Sequence, residues 1–233
     1  MQPLITILAR KGSKGVPGKN TRDFNGRPLI EWTIETAIEW GAGPIVISSD
    51  DEAVQEIFSD YMNCDVHFDE RPEHLALDDT PKLEALRYVA QKTQSVLGNF
   101  DYVVDLDPTN PCRTVADLEF CRGMFEKEAP KTLISATKAR KNPWFNQLRR
   151  FNNTITTAAN SRWVVTRRQD TNQLYDANAA IYFYDMVWLL NESVDSPLTD
   201  RTEMYVMEDQ SFCDIDTEID FKVSEFLHKE YYE

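Results

Sequence analysis

The stretch Arg10-Lys11-Gly12-Ser13-Lys14-Gly15-Val16-Pro17-Gly18-Lys19-Asn20 follows directly on the apolar run Leu4-Ile5-Thr6-Ile7-Leu8-Ala9. From Arg10 to Arg27 there are six basic residues (Arg10, Lys11, Lys14, Lys19, Arg22, Arg27) against a single acid, Asp23, in a chain whose formal net charge is −14. A basic, glycine-punctuated loop leaving a buried strand suits a polyphosphate: glycines 12, 15 and 18 permit positive φ and close backbone approach, so successive N–H groups form an anion-binding concavity while lysines neutralise oxygens. The competing reading is a solvated surface loop with no ligand.

A second constellation is Cys213-Asp214-Ile215-Asp216-Thr217-Glu218. In an extended segment Asp214 and Asp216 project to the same side and can share a hard cation such as Mg²⁺. Alternatively, Asp216 or Thr217 simply caps the last helix. A cation bridging carboxylates to a polyphosphate is a recurring solution for phosphoryl and nucleotidyl transfer, so the two constellations reinforce each other. Three further polar segments follow strand signals: Ser48-Ser49-Asp50, the long loop from Arg71-Pro72 to Thr80, and Asp105-Leu106-Asp107-Pro108-Thr109-Asn110-Pro111-Cys112-Arg113, stiffened by two prolines. Open parallel sheets bind ligands at such strand ends. Each has a plain alternative, respectively a helix cap, a surface Ω-loop and a rigid turn.

The elements that must position these groups alternate between strand and helix. Pro28 precedes Ile30, Ile34, Ala37 and Ile38 at helical spacing, and Gly41 and Gly43 end that helix before the strand Ile45-Val46-Ile47. Asp50 or Asp51 is placed to cap a helix carrying Val54, Ile57 and Phe58, and Val66 to Phe68 reads as a strand. Thr80-Pro81 opens a helix with proline at its first position, followed by the strand Tyr102 to Leu106, a helix from Val115 to Lys127 and a strand from Thr132 to Thr137. Ala180 to Tyr184 and Tyr205 to Met207 are strands, and the last helix carries Ile219, Val223, Phe226 and Leu227 on one face. This order predicts an α/β domain with a mainly parallel sheet spanning residues 1–233. From Lys138 to Asn178 the rhythm breaks into aromatics and asparagines, and Asn152-Asn153 between β-formers predicts a hairpin within an inserted arm. Its Trp144, Phe145, Phe151 and Trp163 predict an apolar surface that seeks a partner.

Composition excludes several classes. A sequence pI near 4.7 opposes nucleic-acid or anionic-membrane binding. No apolar run reaches the length of a membrane span and no signal peptide is visible, so the expectation is a cytoplasmic protein. Cys64, Cys112, Cys121 and Cys213 form no CxxC pair, and His67, His74 and His228 fall in unrelated segments. Buried free thiols are expected rather than zinc ligands or disulfides.

Taken in order, these segments resemble the acylneuraminate cytidylyltransferases, which make CMP-sialic acid and related CMP-nonulosonates. The likeness is carried by Leu8 to Asn20, Ser48-Ser49-Asp50, Arg71-Pro72 with Leu75 and Asp79-Thr80, Asp107 to Arg113, Asn178-Ala179-Ala180-Ile181-Tyr182 and Asp214 to Glu218. The resemblance implies a Rossmann-like nucleotidyltransferase fold of the glycosyltransferase-A type. It implies that Arg10, Ser13, Lys14, Lys19 and Asn20 hold the CTP phosphates and ribose, that Arg71 lies at the base and ribose end, and that Asp214 and Asp216 bind Mg²⁺. Arg168 and Tyr182 match positions that face the sugar, and the Lys138 to Asn178 arm matches a segment that crosses a homodimer to help close the partner's sugar site. Arg10, Lys19, Asp214 and Asp216 are therefore the residues expected to carry catalysis.

Two departures bear on substrate. Sialate-activating members usually carry glutamine where this chain has Asp107 and a lysine near position 145, where this chain has Phe145. The strings Asp105-Leu106-Asp107, Arg140 to Asn146 and Tyr175 to Asn178 are more similar to the legionaminate branch, whose sugars are diamino nonulosonates. The competing readings are a nucleotidyltransferase with another nucleotide or sugar, and a catalytically silent nucleotide-binding homologue.

Overall fold

The computed structural model describes residues 1–159, 167, 170–191 and 196–232. Its strands are β1 (Pro3–Leu8), β2 (Asp23–Phe24), β3 (Arg27–Pro28), β4 (Ile45–Ser49), β5 (Val66–Glu70), β6 (Tyr102–Asp105), β7 (Thr132–Lys138), β8 (Leu148–Phe151), β9 (Thr154–Thr157), β10 (Tyr175–Asp185) and β11 (Thr202–Val206). The helices are α1 (Leu29–Trp40), α2 (Glu52–Phe58), α3 (Lys82–Leu97), α4 (Val115–Glu128), α5 (Met186–Asn191) and α6 (Glu218–Tyr231). Seven strands form the central sheet in the order β11-β7-β10-β6-β1-β4-β5. All neighbours run parallel except β10, which is antiparallel to both β6 and β7.

Alternation along the strands builds two cores, one on each face. In β1, Leu4 points to a cluster with Leu83, Leu86, Val89 and Trp188, while Ile5 and Ile7 point to a cluster with Ile30, Ile34, Phe125 and Phe183. A sheet buried on both faces needs near-continuous apolar strands, which is how β1 and β6 read. Gly41 ends α1 in the left-handed region at φ 58°, its N–H bonded to the Ala37 carbonyl at 3.1 Å, an ordinary αL stop.

The parallel order places the carboxyl ends of β1, β4, β5 and β6 side by side, which brings Arg10, Asp50, Arg71 and Asp107 to one edge of the sheet. A third, smaller core of Val16, Phe24, Leu29, Ile215 and Phe221 packs beneath that edge. It joins the basic loop to the segment carrying the paired aspartates.

Of the two acids placed to cap α2, Asp51 does so, accepting from the Ala53 N–H at 3.1 Å, as the sequence allowed. Several sequence expectations are corrected. Pro81 stands just before the first residue of α3 rather than within the helix. The apolar stripe of α6 is turned partly outward: Ile219 is 74% and Phe226 61% exposed and Val223 and Leu227 are half-buried, while Phe221, Ser224 and His228 are the buried positions. Polar Ser224 and His228 tuck inward, so apolar spacing alone missed part of the buried side. Cys64 is exposed, whereas Cys112, Cys121 and Cys213 are buried free thiols as expected.

The expected hairpin forms as β8 and β9, with Asn152 and Asn153 at φ 44° and 61°, the positive φ pair that a two-residue turn of this kind requires. Leu148, Phe151 and Ile155 on it are exposed. Trp163 lies outside the described residues. Among the described residues, no helix is long and apolar enough to cross a membrane.

Candidate active site

A cavity of about 310 Å³ opens at the strand ends, and its walls include Arg10, Ser13, Lys14, Lys19, Asn20, Arg71, Lys82, Asp107 and Asp216. Six of the positions read from sequence as nucleotide-binding are thus in one wall set with Asp107 and one of the paired acids. Lys11 is not in the wall; its backbone N–H instead donates to Asp50 at 2.7 Å, pinning the loop to the end of β4. The Ser49 hydroxyl donates to the Ala9 carbonyl at 2.5 Å and holds the start of the same loop.

The loop and the acidic segment meet at Gly15. A Cβ there would fall 1.9 Å from the Asp216 carbonyl oxygen, a contact no side chain survives because the obstacle is backbone. Lys19, itself buried, donates to the Ile215 carbonyl at 2.5 Å, and Arg22 makes two bonds to Glu218 at 2.6 and 2.8 Å. Three separate contacts therefore fix the cationic loop against the segment of Asp214 and Asp216, although the two segments are far apart in sequence.

In the acidic segment Cys213 and Ile215 are buried and the intervening Asp214 and Asp216 turn the other way, as extended geometry predicts. Burial pushes the Asp214 carboxyl up to about 6; a hydrogen bond from Thr109 opposes the rise, and neighbouring Asp107 and Asp216 add to it. Its Oδ1 is buried with no hydrogen-bond partner among the described residues. Such an acceptor is costly to leave unmatched. The capping role belongs to Thr217, which accepts from Asp220 N–H at 3.3 Å while Asp220 accepts from the Thr217 N–H at 2.8 Å. Neither Asp214 nor Asp216 is used as the cap.

At the other wall, Arg71 is buried, its guanidinium bonded to the Ser48 carbonyl at 2.9 Å and hydroxyl at 3.3 Å. Desolvation lowers its pKa, against the pull of Asp50, Asp105 and Asp69. Asn20 donates to the Arg10 carbonyl at 3.3 Å, and its Oδ1 is buried without a partner among the described residues. Arg10 meets Asp78 at 2.5 Å, and Lys14 pairs with the same carboxylate. That carboxylate gathers two loop cations at the cavity, as a phosphate would.

Asp107 is a paired anion. Its Oδ2 accepts from Lys82 Nζ at 2.9 Å and its Oδ1 from the Thr109 N–H at 3.0 Å. Lys82, which sequence reasoning missed, also stands 2.7 Å from Asp105 Oδ2 and 4.7 Å from the centre of the Tyr182 ring. Tyr182 sits on β10 opposite Asp105 and adjoins the cavity through Lys82. Arg113, fully desolvated with its pKa brought down to about 10, fixes the turn by donating to the carbonyls of Asp107 at 2.9 Å and Ala180 at 2.6 Å. Asn178 is buried and structural here, donating to the Ser211 carbonyl at 2.8 Å and accepting from Ser135 at 2.7 Å. Arg168 lies outside the described residues.

A cationic loop, paired acids and a 310 Å³ cleft suit transfer of a nucleotidyl group. The model of one family, described as cytidylyltransferase, matches residues 4–231. The chain belongs to that family. It is a nucleotidyltransferase. This cytidylyltransferase is 35% identical over 226 residues to the CMP-N,N'-diacetyllegionaminic acid synthase of Campylobacter jejuni, covering 96% of this chain and 94% of that one. It is 34% identical over 229 residues to the post-translational flagellin modification protein B of Campylobacter coli, covering 97% and 95%. Its fold matches that of a CMP:2-keto-3-deoxy-manno-octonic acid synthetase complexed with CTP at a TM-score of 0.69 and 17% identity, over 99% of both chains. The sequence-derived expectation of the fold and of the family is met.

The geometry sets an order among the loop cations. Arg10→Ala and Lys19→Ala of the cytidylyltransferase should each weaken CTP binding by about tenfold or more, the scale of a lost charge-assisted contact. Lys11→Ala should change it by less than about twofold, because its side chain is outside the cavity. Calorimetric titration with CTP measures all three; equal affinities across the set would contradict a phosphate cradle here.

Proposed function

We propose that this cytidylyltransferase couples CTP to a nonulosonic acid of the legionaminic type, giving the CMP-sugar and pyrophosphate. The observation that carries the reading is the contact at Gly15, where the basic loop is seated directly on the backbone of Asp216. Cations for a triphosphate and acids for a divalent cation thereby share one cleft. The 35% identity to a CMP-N,N'-diacetyllegionaminic acid synthase supports the choice of sugar.

In this reading the anomeric hydroxyl of the sugar attacks the α-phosphorus in line, the bond to the bridging oxygen breaks, and pyrophosphate leaves. Catalysis rests on positioning and charge neutralisation. Arg10 and Lys14 exchange Asp78 for phosphate oxygens, and Lys19 stands between the loop and the acids. The unpartnered Asn20 Oδ1 suits a ribose hydroxyl as donor. Arg71, anchored on Ser48, lies at the base and ribose end.

Asp214 and Asp216 would hold Mg²⁺. The fit rests on the orphaned, buried Asp214 Oδ1 and on the raised pKa of that carboxyl, both of which an adjacent cation would relieve. Bound there, the ion supplies charge neutralisation to the α-phosphate and the leaving group. Pyrophosphate release with CTP, UTP and GTP tests the nucleotide: CTP should be preferred by at least about a hundredfold, as expected where buried polar groups read the base. Equal use of UTP would contradict the reading.

The working unit in this reading is a homodimer. Leu148, Phe151 and Ile155 on the hairpin and Ile219 and Phe226 on α6 are exposed apolar side chains, and a two-fold pairing is the simplest closed way to cover them. Light scattering at micromolar concentration should give about twice 27.0 kDa. A fully active monomer would contradict a sugar site shared between protomers.

A further inference from the structure

We propose that Lys82 is the positioning residue that makes Asp107 a reader of the sugar, an inference that rests on the function proposed above. Lys82 is the first residue of α3, whose N-terminus carries no side-chain cap. A cation in the first turn opposes the helix dipole, so its place there requires compensation. Asp105 and Asp107 supply it. Two residues apart at the end of β6, they reach the same ammonium at 2.7 and 2.9 Å. Asp105 is 0% exposed, and its other oxygen takes the Thr6 hydroxyl at 2.8 Å; with its partner removed it would be a buried, unpaired charge. Asp107, by contrast, reaches the cavity wall.

The result is a carboxylate held at both oxygens, Oδ1 by the Thr109 N–H and Oδ2 by Lys82. Each oxygen keeps a further lone pair. Asp107 thus offers the cavity a fixed acceptor, placed for an N-acylamino N–H of the sugar acid and disfavouring a group that presents only an acceptor there. Lys82 also cancels part of the repulsion between Asp107, Asp105 and Asp214, and without it the Asp107 side chain would turn from its neighbours. Lys82 therefore serves both acids at once, neutralising buried Asp105 and orienting Asp107.

The test is steady-state kinetics on wild type, Lys82→Met, Lys82→Arg, Asp107→Asn and the double variant Lys82→Met with Asp105→Asn, which removes the buried charge together with its partner. KM and kcat are measured for CTP, for N,N'-diacetyllegionaminic acid and for N-acetylneuraminic acid. In the double variant the KM for the legionaminic acid should rise by about thirtyfold, the KM for CTP should stay within about twofold, and the preference between the sugars should fall at least about tenfold. Lys82→Arg should recover most of the preference, and Asp107→Asn should lose it. A soluble double variant with the wild-type preference, or one in which both KM values rise together, overturns the inference while leaving the proposed reaction intact. Wild-type enzyme that activates neither sugar overturns both.

Discussion

Gly15→Ala should lower turnover by at least about a hundredfold, since a shift of about an ångström near the reacting groups is enough for that loss. The alanine Cβ would stand 1.9 Å from the Asp216 carbonyl oxygen. Relief requires either the basic loop or the acidic segment to move, and the proposed reaction needs the two apposed. Because Gly15 is in a loop and its φ is not in the left-handed region, the substitution has no strain argument apart from this contact. Stability should fall by no more than about 1–3 kcal/mol, the usual cost of overpacking, leaving the protein folded, while pyrophosphate release collapses. Near-normal turnover would mean that the loop and the acids need not be in register.

Asp214→Ala and Asp216→Ala should each lower turnover by at least about a hundredfold, equivalent to about 3 kcal/mol of transition-state stabilisation. Loss of a cap is the competing explanation, and the structure separates the two. Thr217 and Asp220 form the reciprocal cap of α6, so Thr217→Ala should cost about 1 kcal/mol of stability with turnover retained. The aspartate variants should do the reverse. Asp214→Asn, which removes a carboxyl whose charge is disfavoured by burial, should leave stability equal or higher while losing activity. Turnover and denaturant midpoints on these four single variants and on the Asp214→Ala, Asp216→Ala double variant check the pattern, and an unchanged turnover for the double variant would reduce both acids to scaffold.

Much of this site was legible because its chemistry is local in sequence. A strand followed by a glycine-lysine loop, and two acids spaced by one residue, declare themselves without tertiary information. Lys82 does not: a lysine at the start of a helix reads as a surface residue, and only the adjacency of α3 to the end of β6 puts it on Asp105 and Asp107. The importance of Gly15 likewise lies in a contact with Asp216, two hundred residues away, whereas spacing suggested only conformational freedom. Direction was also illegible in β10, whose apolar alternation is the same whether the strand runs parallel or antiparallel. In α6 the apolar stripe is turned partly to solvent, with Phe221, Ser224 and His228 as the buried positions.

The reversal of β10 has a functional consequence. It brings Tyr182 opposite Asp105, so the ring lies beside the Lys82 ammonium at the edge of the cavity. A parallel strand would enter the sheet from the other end. Arg113 then ties β10 to the Asp107 turn by bridging the Asp107 and Ala180 carbonyls.

The central claim is tested most directly by incubating the enzyme with CTP, Mg²⁺ and, separately, N,N'-diacetyllegionaminic, N-acetylneuraminic, pseudaminic and 3-deoxy-octulosonic acids, and identifying the nucleotide sugars by mass. CMP-diacetyllegionaminate should form with a kcat/KM at least about tenfold above that of any other acid, the discrimination expected when a buried acceptor meets the right donor. Preferential formation of CMP-N-acetylneuraminate, or pyrophosphate release with none of the four, would contradict it.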